Sequence, residues 1–468
     1  MGSDPCNDLS RTDFQMSITR SRLRLPFRVS ALLGALGLAG CIHYSPDPLP
    51  ANVDLAGALP IQITGPLNLD AVGTIAVLNN PDLRSQRAKS KIAEAQAFAA
   101  GILPNPQLTA ELVQPTNQGD VGGSGYSFGL AYDIQNLWTQ SAKVGAANAA
   151  RDQARLDLLW QEWQTVAQAR TLYIQGAAAA EKRELYINAE GKYAAQSDRS
   201  SRALMVGDVT FDAAAVDLGA LLDSRSQLRT AERMVSQTDH QLRALLGLGE
   251  QVDVRLQPLM SPPIPDRPTI EAALAKVAEM RPDLKALQYG YQSQEENLRK
   301  SVLSQFPSLQ LGVNRLSDTA GDTSSFGNVI HAYSIGATLS LPLFDRNQGD
   351  IAVQTATRAQ LRAEYQTRLD QTTSDAWRIW TEMQELNRAI QDIEAVIPQL
   401  QMNSDAAERA YQSGDLSALT YVTLQTQLLN RQAELSDLRQ SLWSDAIALS
   451  SVIGTQIQPQ VEMKEPAQ

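Results

Sequence analysis

Cysteine is almost absent from this 468-residue chain: Cys6 and Cys41 are its only two, so no disulfide framework can hold the fold. Histidine is nearly as scarce. His43, His240 and His331 stand far apart, in what reads as an arm, a return helix and a loop, with no metal-ligand spacing around any of them. An excess of basic charge is missing too; the formal net charge is −11 and no basic stripe occurs, which argues against a nucleic-acid partner. No glycine-rich phosphate loop follows a strand, and no nucleophile stands beside a base, so the chain reads as no enzyme and as binding no nucleotide. Aromatic residues make up only 6%, which with abundant Ala, Gln and Leu favours long helices over one compact core. Long apolar runs are lacking as well. Val29 to Leu38 is too short for a transmembrane helix.

That short run reads instead as the middle of an export signal. Arg20, Arg22, Arg24 and Arg28 precede it, and Leu38-Ala39-Gly40-Cys41 closes it, so residues 1–40 resemble a bacterial lipoprotein signal peptide. In that reading the Cys41 thiol is acylated, with a palmitate-type chain as the only covalent group expected, and no cofactor is needed. Ile42 rather than Asp follows the cysteine, which resembles the sorting pattern for the outer membrane, and Met16 is a candidate start. Removing residues 1–40 takes away five Arg and three Asp and leaves −13 on the remainder. An exported chain without disulfides has to draw its stability from burial or oligomerisation.

Proline is the next informative shortage. Trp138 to Gly207 has none in about seventy residues, and at a rise of about 1.5 Å per residue such a run makes a rod of roughly 100 Å. A second rod, Asp345 to Gly414, carries one, Pro398. Around them the chain is ordered as follows. Residues 41–70, with Pro46, Pro48, Pro50, Pro60 and Pro66, read as an extended arm; Leu69 to Gly101 is helical, with Asn80 capping a segment that opens at Pro81. Gln107 to Val113 and Tyr126 to Ile134 alternate as strands, with Tyr126, Phe128, Leu130, Tyr132 and Ile134 on one face and Ser127, Gly129, Ala131 and Asp133 on the other. The rod follows, turns at Gly207, and returns as a helix from Phe211 to Leu246.

A proline-rich linker, 251–268, then separates this first repeat, 71–250, from a second, 269–455, which leaves a tail at 456–468. Ser127 and Ser334, Arg151 and Arg358, Arg202 and Arg409, Gly207 and Gly414, Asp208 and Asp415, and Gly247 and Gly454 match at a constant offset of 207. The module is helix, strand, strand, long helix, return helix, built twice. In the second return helix Tyr421, Leu424, Leu428, Leu435, Leu438 and Leu442 follow coiled-coil steps, and Ala214, Leu221, Leu228, Ala231 and Val235 keep the same phase in the first.

Each strand has an apolar face and a small or polar one, the pattern of a barrel with lipid outside and water within. Four strands cannot close, and an open edge is not tolerated in hydrocarbon. Three chains would supply about twelve strands, enough for a pore. A soluble sheet against a partner fits the alternation nearly as well; the lipid signal favours the barrel. The shorter helices, laid end to end, approach one rod in length and could complete the wall of a hollow tube.

The Asn80-Pro81-Asp82-Leu83 opening, the junction Leu341-Pro342-Leu343-Phe344-Asp345-Arg346-Asn347-Gln348-Gly349 and the two Arg-x-x-x-x-Gly-Asp turns resemble the TolC outer-membrane factor family over almost all of the mature chain. The lipid signal and the junction look most like lipid-anchored members that serve proton-driven pumps, including the metal-efflux branch. The resemblance implies a membrane α+β protein: a homotrimer with a twelve-stranded transmembrane β-barrel in outer-membrane lipid, continued by a twelve-helix periplasmic tunnel. It further implies a passive efflux conduit joined to an inner-membrane pump through a periplasmic membrane-fusion adaptor. Arg202, Gly207, Asp208, Arg409, Gly414 and Asp415 would then form the adaptor-contacting tips.

Family members often close the tunnel with carboxylates six and nine residues past the second tip glycine; here those positions are Thr420 and Thr423, which speaks against an acidic gate at that ring and leaves Asp405, Asp415 or Asp212 as candidate substitutes. Pro398, offset by 207, falls on Gly191, and both weaken a helix at one level, so both rods are expected to bend there. Two other classes compete. A structural coiled-coil lipoprotein would explain the rods and anchor but not four amphipathic strands, and a lipid-anchored hydrolase would need a catalytic group that the chain does not offer.

Overall fold

The computed structural model describes residues 44–52, 54–58, 65–113, 125–259, 261–319 and 329–455. Cys41, the leader before it and the tail beyond residue 455 lie outside the described residues. The chain divides after Asp54, and in the first unit residues 44–52 and 54 are exposed and neither helical nor strand-forming.

The second unit begins at Leu55. Helix α1 (Leu69–Asn79) opens on Asn68, whose side chain accepts from the Ala71 N–H at 2.8 Å. Helix α2 (Pro81–Gly101) opens on Asn80, which accepts from the Leu83 N–H at 2.9 Å. Pro81 explains why the helical stretch from Leu69 is two helices: the residue before a proline avoids the helical region, and Asn80 sits at ψ 127°. Strands β1 (Gln107–Val113) and β2 (Gly125–Asp133) lead into α3 (Gln135–Val206), a helix of 72 residues, which α4 (Phe211–Leu246) follows in the opposite direction. Short helices α5 (Arg267–Ala275) and α6 (Val277–Met280) come next. The order then recurs as α7 (Pro282–Leu303), β3 (Ser308–Thr319), β4 (Val329–Ser340), the 65-residue α8 (Gln348–Gln412) and α9 (Ala418–Ile453).

Three local expectations need correction. The first rod begins at Gln135 rather than Trp138, because β2 ends at Asp133 and the Asp133 carboxylate accepts from the Gln135 N–H at 2.9 Å. Ile134 therefore leaves the strand face on which its alternation had placed it. The second rod begins at Gln348 rather than Asp345: Asn347 takes φ 60° and donates its N–H to the Asp345 carboxylate at 2.8 Å, an Asx turn at the strand-to-rod corner. His331 is not in a loop but in β4, opposite Ser317 of β3.

The short helices stack end to end along the rods. Asn79 Nδ2 donates to the carbonyls of Leu246 at 2.6 Å and Gly247 at 3.0 Å, and Asn80 Nδ2 donates to that of Leu245 at 2.8 Å. The start of α2 thus meets the end of α4. At the other end of α2, Gln140 of α3 donates to the Ala100 carbonyl at 2.8 Å, so α2 and α4 together run the length of α3. In the second half Arg281 takes the same post, before α7 and against the end of α9. It donates to the Val452 carbonyl at 3.2 Å and the Thr372 hydroxyl at 2.9 Å, and pairs with both Asp283 oxygens at 2.9 and 2.6 Å. Its guanidinium also lies 5.0 Å from the Trp160 ring centre.

Apolar burial concentrates at this level. One cluster joins Leu67, Val72, Ile75, Tyr173, Ile174, Leu242 and Leu246; another joins Ile270, Ile379, Met383, Leu442 and Leu449. The residues around 56 and 67 are drawn into the first cluster by backbone pairing with Leu248 and Leu256. Towards the tips a smaller apolar cluster joins Ala189, Tyr193, Leu221 and Leu429.

The sheet is antiparallel throughout, in the order β1-β2-β3-β4. Its register sets Leu108 beside Leu130, Leu130 beside Val313 and Val313 beside Ile335, one continuous apolar row. Thr109, Gly129, Asn314 and Ser334 form the neighbouring row on the opposite face. The apolar row is open to solvent in the single chain, with Ile335 86% exposed.

Arg281→Ala should destabilise the protein by about 3–5 kcal/mol, since it strands the buried Asp283 carboxylate. Asn80→Ala at the matching junction should cost about 1–3 kcal/mol. Thermal unfolding of the two purified variants ranks them, and equal losses would contradict the assignment.

Candidate functional site

The ends of the two rods are built alike. A helix that reverses at once needs a residue able to take positive φ, which only glycine does without strain. Gly207 and Gly414 both sit at φ 83°. Behind them Asp208 donates its N–H to the Ala203 carbonyl, and Asp415 donates to that of Ala410, each at 2.9 Å. Thr210 and Ser417 then cap the return helices, accepting from Ala213 N–H at 3.3 Å and Thr420 N–H at 3.2 Å. Arg202 pairs with Asp198 at 2.8 Å, Arg409 is exposed, and the Asp415 carboxylate accepts from Ser413 at 2.7 Å. Chemically the tips differ. Met205, Val206 and Phe211 are 79%, 72% and 73% exposed, whereas Gln412, Ser413 and the buried Ala418 hold the matching places.

Thr420 and Thr423 are exposed on the first turns of α9. Their hydroxyls are engaged within that end of the helix, Thr420 with Ser417 at 2.9 Å and Thr423 with the Leu419 carbonyl at 2.7 Å. Asp405 accepts from Gln401 one turn away at 2.9 Å. Gly191 and Pro398 both lie on exposed faces, and α3 and α8 continue through them. At Pro398 the missing N–H removes one bond from the ladder.

One cluster near the tips was not singled out from the sequence. Asp217 of α4 is 0% exposed. Its Oδ2 accepts from Gln196 at 3.1 Å and from Ser200, both on α3, and from the Tyr411 hydroxyl of α8 at 3.2 Å. Three helices from both halves thus meet on one carboxylate oxygen, while Oδ1 is buried without a hydrogen-bond partner among the described residues. Tyr411 stacks on Tyr421 of α9 at 4.8 Å and 9°, and Tyr193 reaches Thr426 at 3.2 Å. Burial, reinforced by the Glu408 charge and by Tyr193, pushes the Tyr421 hydroxyl up to about 12. Burial also raises Tyr411 and Tyr193. The signal was present: Asp217 lies three residues after Ala214 and four before Leu221, at a seam position where a charge is out of place.

Among the described residues no group of three His, Cys, Asp or Glu could hold a metal, and no helix is long and apolar enough to cross a membrane. Comparison with known proteins gives the class. The solved Campylobacter jejuni CmeC outer membrane channel superposes with a TM-score of 0.69 over 88% of this chain and 94% of its own, at 17% identity, so the fold is that of an outer-membrane channel subunit with a long helical body and a small sheet. Residues 273–455 match the family described as Outer membrane efflux protein. Two curated proteins align along nearly their whole length. The cobalt-zinc-cadmium resistance protein CzcC of Cupriavidus metallidurans is 23% identical over 90% of this chain and 98% of its own. The pyoverdine export outer membrane protein OpmQ of Pseudomonas putida is 24% identical over 92% and 98%.

Together with the fold, these likenesses make the chain the outer-membrane channel component of a TolC-type efflux system, with a periplasmic helical tunnel. Channels of this class are non-catalytic transport proteins that generally assemble as trimers and work with inner-membrane pumps and periplasmic adaptors.

The Tyr421 hydroxyl is held neutral above its ordinary value of 10.0. Its contribution to stability is therefore complete below about pH 10 and lost as pH rises through about 12. Tyr421→Phe should unfold less steeply across that window. Circular dichroism against pH checks this, and identical alkaline profiles would refute it.

Proposed function

We propose that three copies of this chain close a twelve-stranded barrel in the outer membrane, with the rods and their stacked companions forming a twelve-helix tunnel below it. The observation that carries this is the sheet. It has one apolar face open to solvent, one small and polar face, and outer strands β1 and β4 that each have a single neighbour among the described residues. Neighbouring copies satisfy both needs at once, pairing the edges and turning the apolar face to lipid. A structural coiled-coil lipoprotein would leave that face without a purpose.

In this assembly Cys41 carries the lipid that tethers the chain, and six tip turns, at Gly207-Asp208 and Gly414-Asp415, ring the periplasmic mouth. A membrane-fusion adaptor docks on those turns, with Arg202 and Arg409 at their flanks, and links them to an inner-membrane pump driven by protons. Thr420 and Thr423 line the narrowest ring in place of carboxylates. Gly191 and Pro398 let the rods bend above it. The chain falls in the lipid-anchored branch that includes metal-efflux systems; since relatives of almost equal similarity are named for cobalt-zinc-cadmium resistance and for pyoverdine export, the choice of cargo lies with the pump.

The Asp217 cluster serves as the latch of the mouth. It ties the end of α8 to the α3–α4 hairpin through one carboxylate oxygen, and its unpaired Oδ1 makes the tie easy to release.

Two measurements test the reading. Full-length protein in planar bilayers should conduct as a trimer, and Asp217→Ala should raise single-channel conductance severalfold while the trimer survives; a protein that never conducts refutes the channel, and an unchanged conductance refutes the latch. In cells Asp208→Ala or Asp415→Ala should reduce adaptor-dependent export without loss of trimer. Loss of assembly instead would make the tips purely structural.

A further inference from the structure

The apolar face of the sheet is not uniform from end to end. Counting from the end nearest the rods, its rows are Leu309 and Leu339; Tyr132, Leu311 and Ala337; and Leu108, Leu130, Val313 and Ile335. The fourth row is Ala110, Phe128, Arg315 and Tyr333, and the fifth is Leu112, Tyr126, Ser317 and His331. Three rows are thus hydrocarbon and one tyrosine, and the next two bring a cation, an imidazole and two further tyrosines onto the same face, one row short of the end of the β3–β4 pairing at Thr319 and Val329.

These polar groups are organised. The Arg315 guanidinium carbon lies 5.7 Å from the Tyr333 ring centre. His331 Nδ1 is 3.1 Å from the Ser317 hydroxyl, and Ser317 is only 1% exposed. Arg315 and His331 themselves are exposed. With Nδ1 engaged by Ser317, the other ring nitrogen of His331 is left to meet an outside group. Tyr126 and Phe128 pack edge to face at 5.8 Å beside them.

Depth decides what these side chains meet. From Leu309 to Ser317 the strand climbs about 27 Å along its own axis, or about 21 Å along a barrel axis at a tilt of about 40°. The apolar band of an outer-membrane barrel is about 25 Å tall and bounded by aromatic girdles. Rows are about 5 Å apart on that axis. The apolar face begins one row below Leu339, at the exposed Leu341, so from its level the fourth and fifth rows stand about 21 and 26 Å up, at the outer boundary, where a lipid-facing arginine is tolerated; at the midplane it is strongly disfavoured.

Resting on the barrel reading above, the geometry points to a headgroup site on the outside of the barrel: Arg315 and His331 bind the phosphate of an anionic lipid in the outer leaflet. The chemistry is a guanidinium fork for phosphate oxygens, a second N–H donor from His331, and aromatic rings that brace the headgroup from below. In the trimer the site occurs three times, once on each β3–β4 pair. Its function is to fix the depth of the barrel in an asymmetric bilayer.

The test uses full-length trimer in detergent, titrated with bis-phosphorylated lipid A, with dephosphorylated lipid A and with inorganic phosphate, and read by native mass spectrometry. Wild type should retain the phosphorylated lipid in preference to the dephosphorylated one and should not hold inorganic phosphate. Arg315→Gln should weaken that binding by at least about fivefold, the worth of one basic side chain at an anionic surface. His331→Gln should weaken it less, Arg315→Lys should restore most of it, and Arg346→Gln at the strand-to-rod corner should change nothing. Equal binding by wild type and Arg315→Gln, or phosphate bound as tightly as the lipid, overturns the site. Planar-bilayer conductance separates this from the reading beneath it: conducting trimers with no phosphate preference refute the headgroup site alone, and trimers that fail to insert refute the barrel.

Discussion

Everything in the helical body depends on how a buried helix end disposes of its last carbonyls. An α-helix leaves its final C=O groups without internal partners, and in an interior they must be answered by something other than water. In the first half Asn79 and Asn80 answer the carbonyls of Leu245, Leu246 and Gly247. In the second half Arg281 answers Val452. Because the donors belong to the start of another helix, meeting this need also sets two helices end to end. The long rods acquire companions of matching length, and a wall forms without any single core large enough to bury it.

The two junctions reach the same arrangement with different chemistry, and the difference bears on stability. Two neutral amides donate at one, a guanidinium with its own buried carboxylate at the other. The charged junction draws in Trp160 and Thr372 from the rods of both halves, and Arg368 approaches Asp283 at 3.7 Å. It therefore binds the halves to each other as well as one helix to the next. The two larger apolar clusters lie at the same level, and a smaller one, with the polar contacts around Asp217, holds the stretches toward the tips.

At the opposite end the sheet obeys a different solvent. Its alternation would be unremarkable against a protein core, but here, among the described residues, the apolar rows stand open to solvent. A face of this kind is stable only when lipid or another surface covers it. On the proposed reading, the polar rows toward its far end and the small residues on its other face follow from one premise, water on one side and hydrocarbon of limited height on the other.

Much of this was legible in order along the chain. The proline-free runs, the glycines at 207 and 414, the offset of 207 and the strict alternation of β2 and β4 each report a local rule, and local rules are written in neighbouring residues. They determined the helices, the strands, the hairpin tips and the class of protein. What they could not determine was which distant groups meet. Asp217 was readable as a charge on a helical seam, yet its meeting with Tyr411 depends on how two hairpins pack. Arg281 precedes Pro282 as Asn80 precedes Pro81, and only the structure makes it the tie between two halves, because α9 ends against it. His331 was read as a loop residue, since the strand it belongs to is fixed by pairing with β3 rather than by its own neighbours. Period and propensity specify an element from within; register, stacking and buried polar contacts arise between elements, and only the tertiary structure brings those partners together.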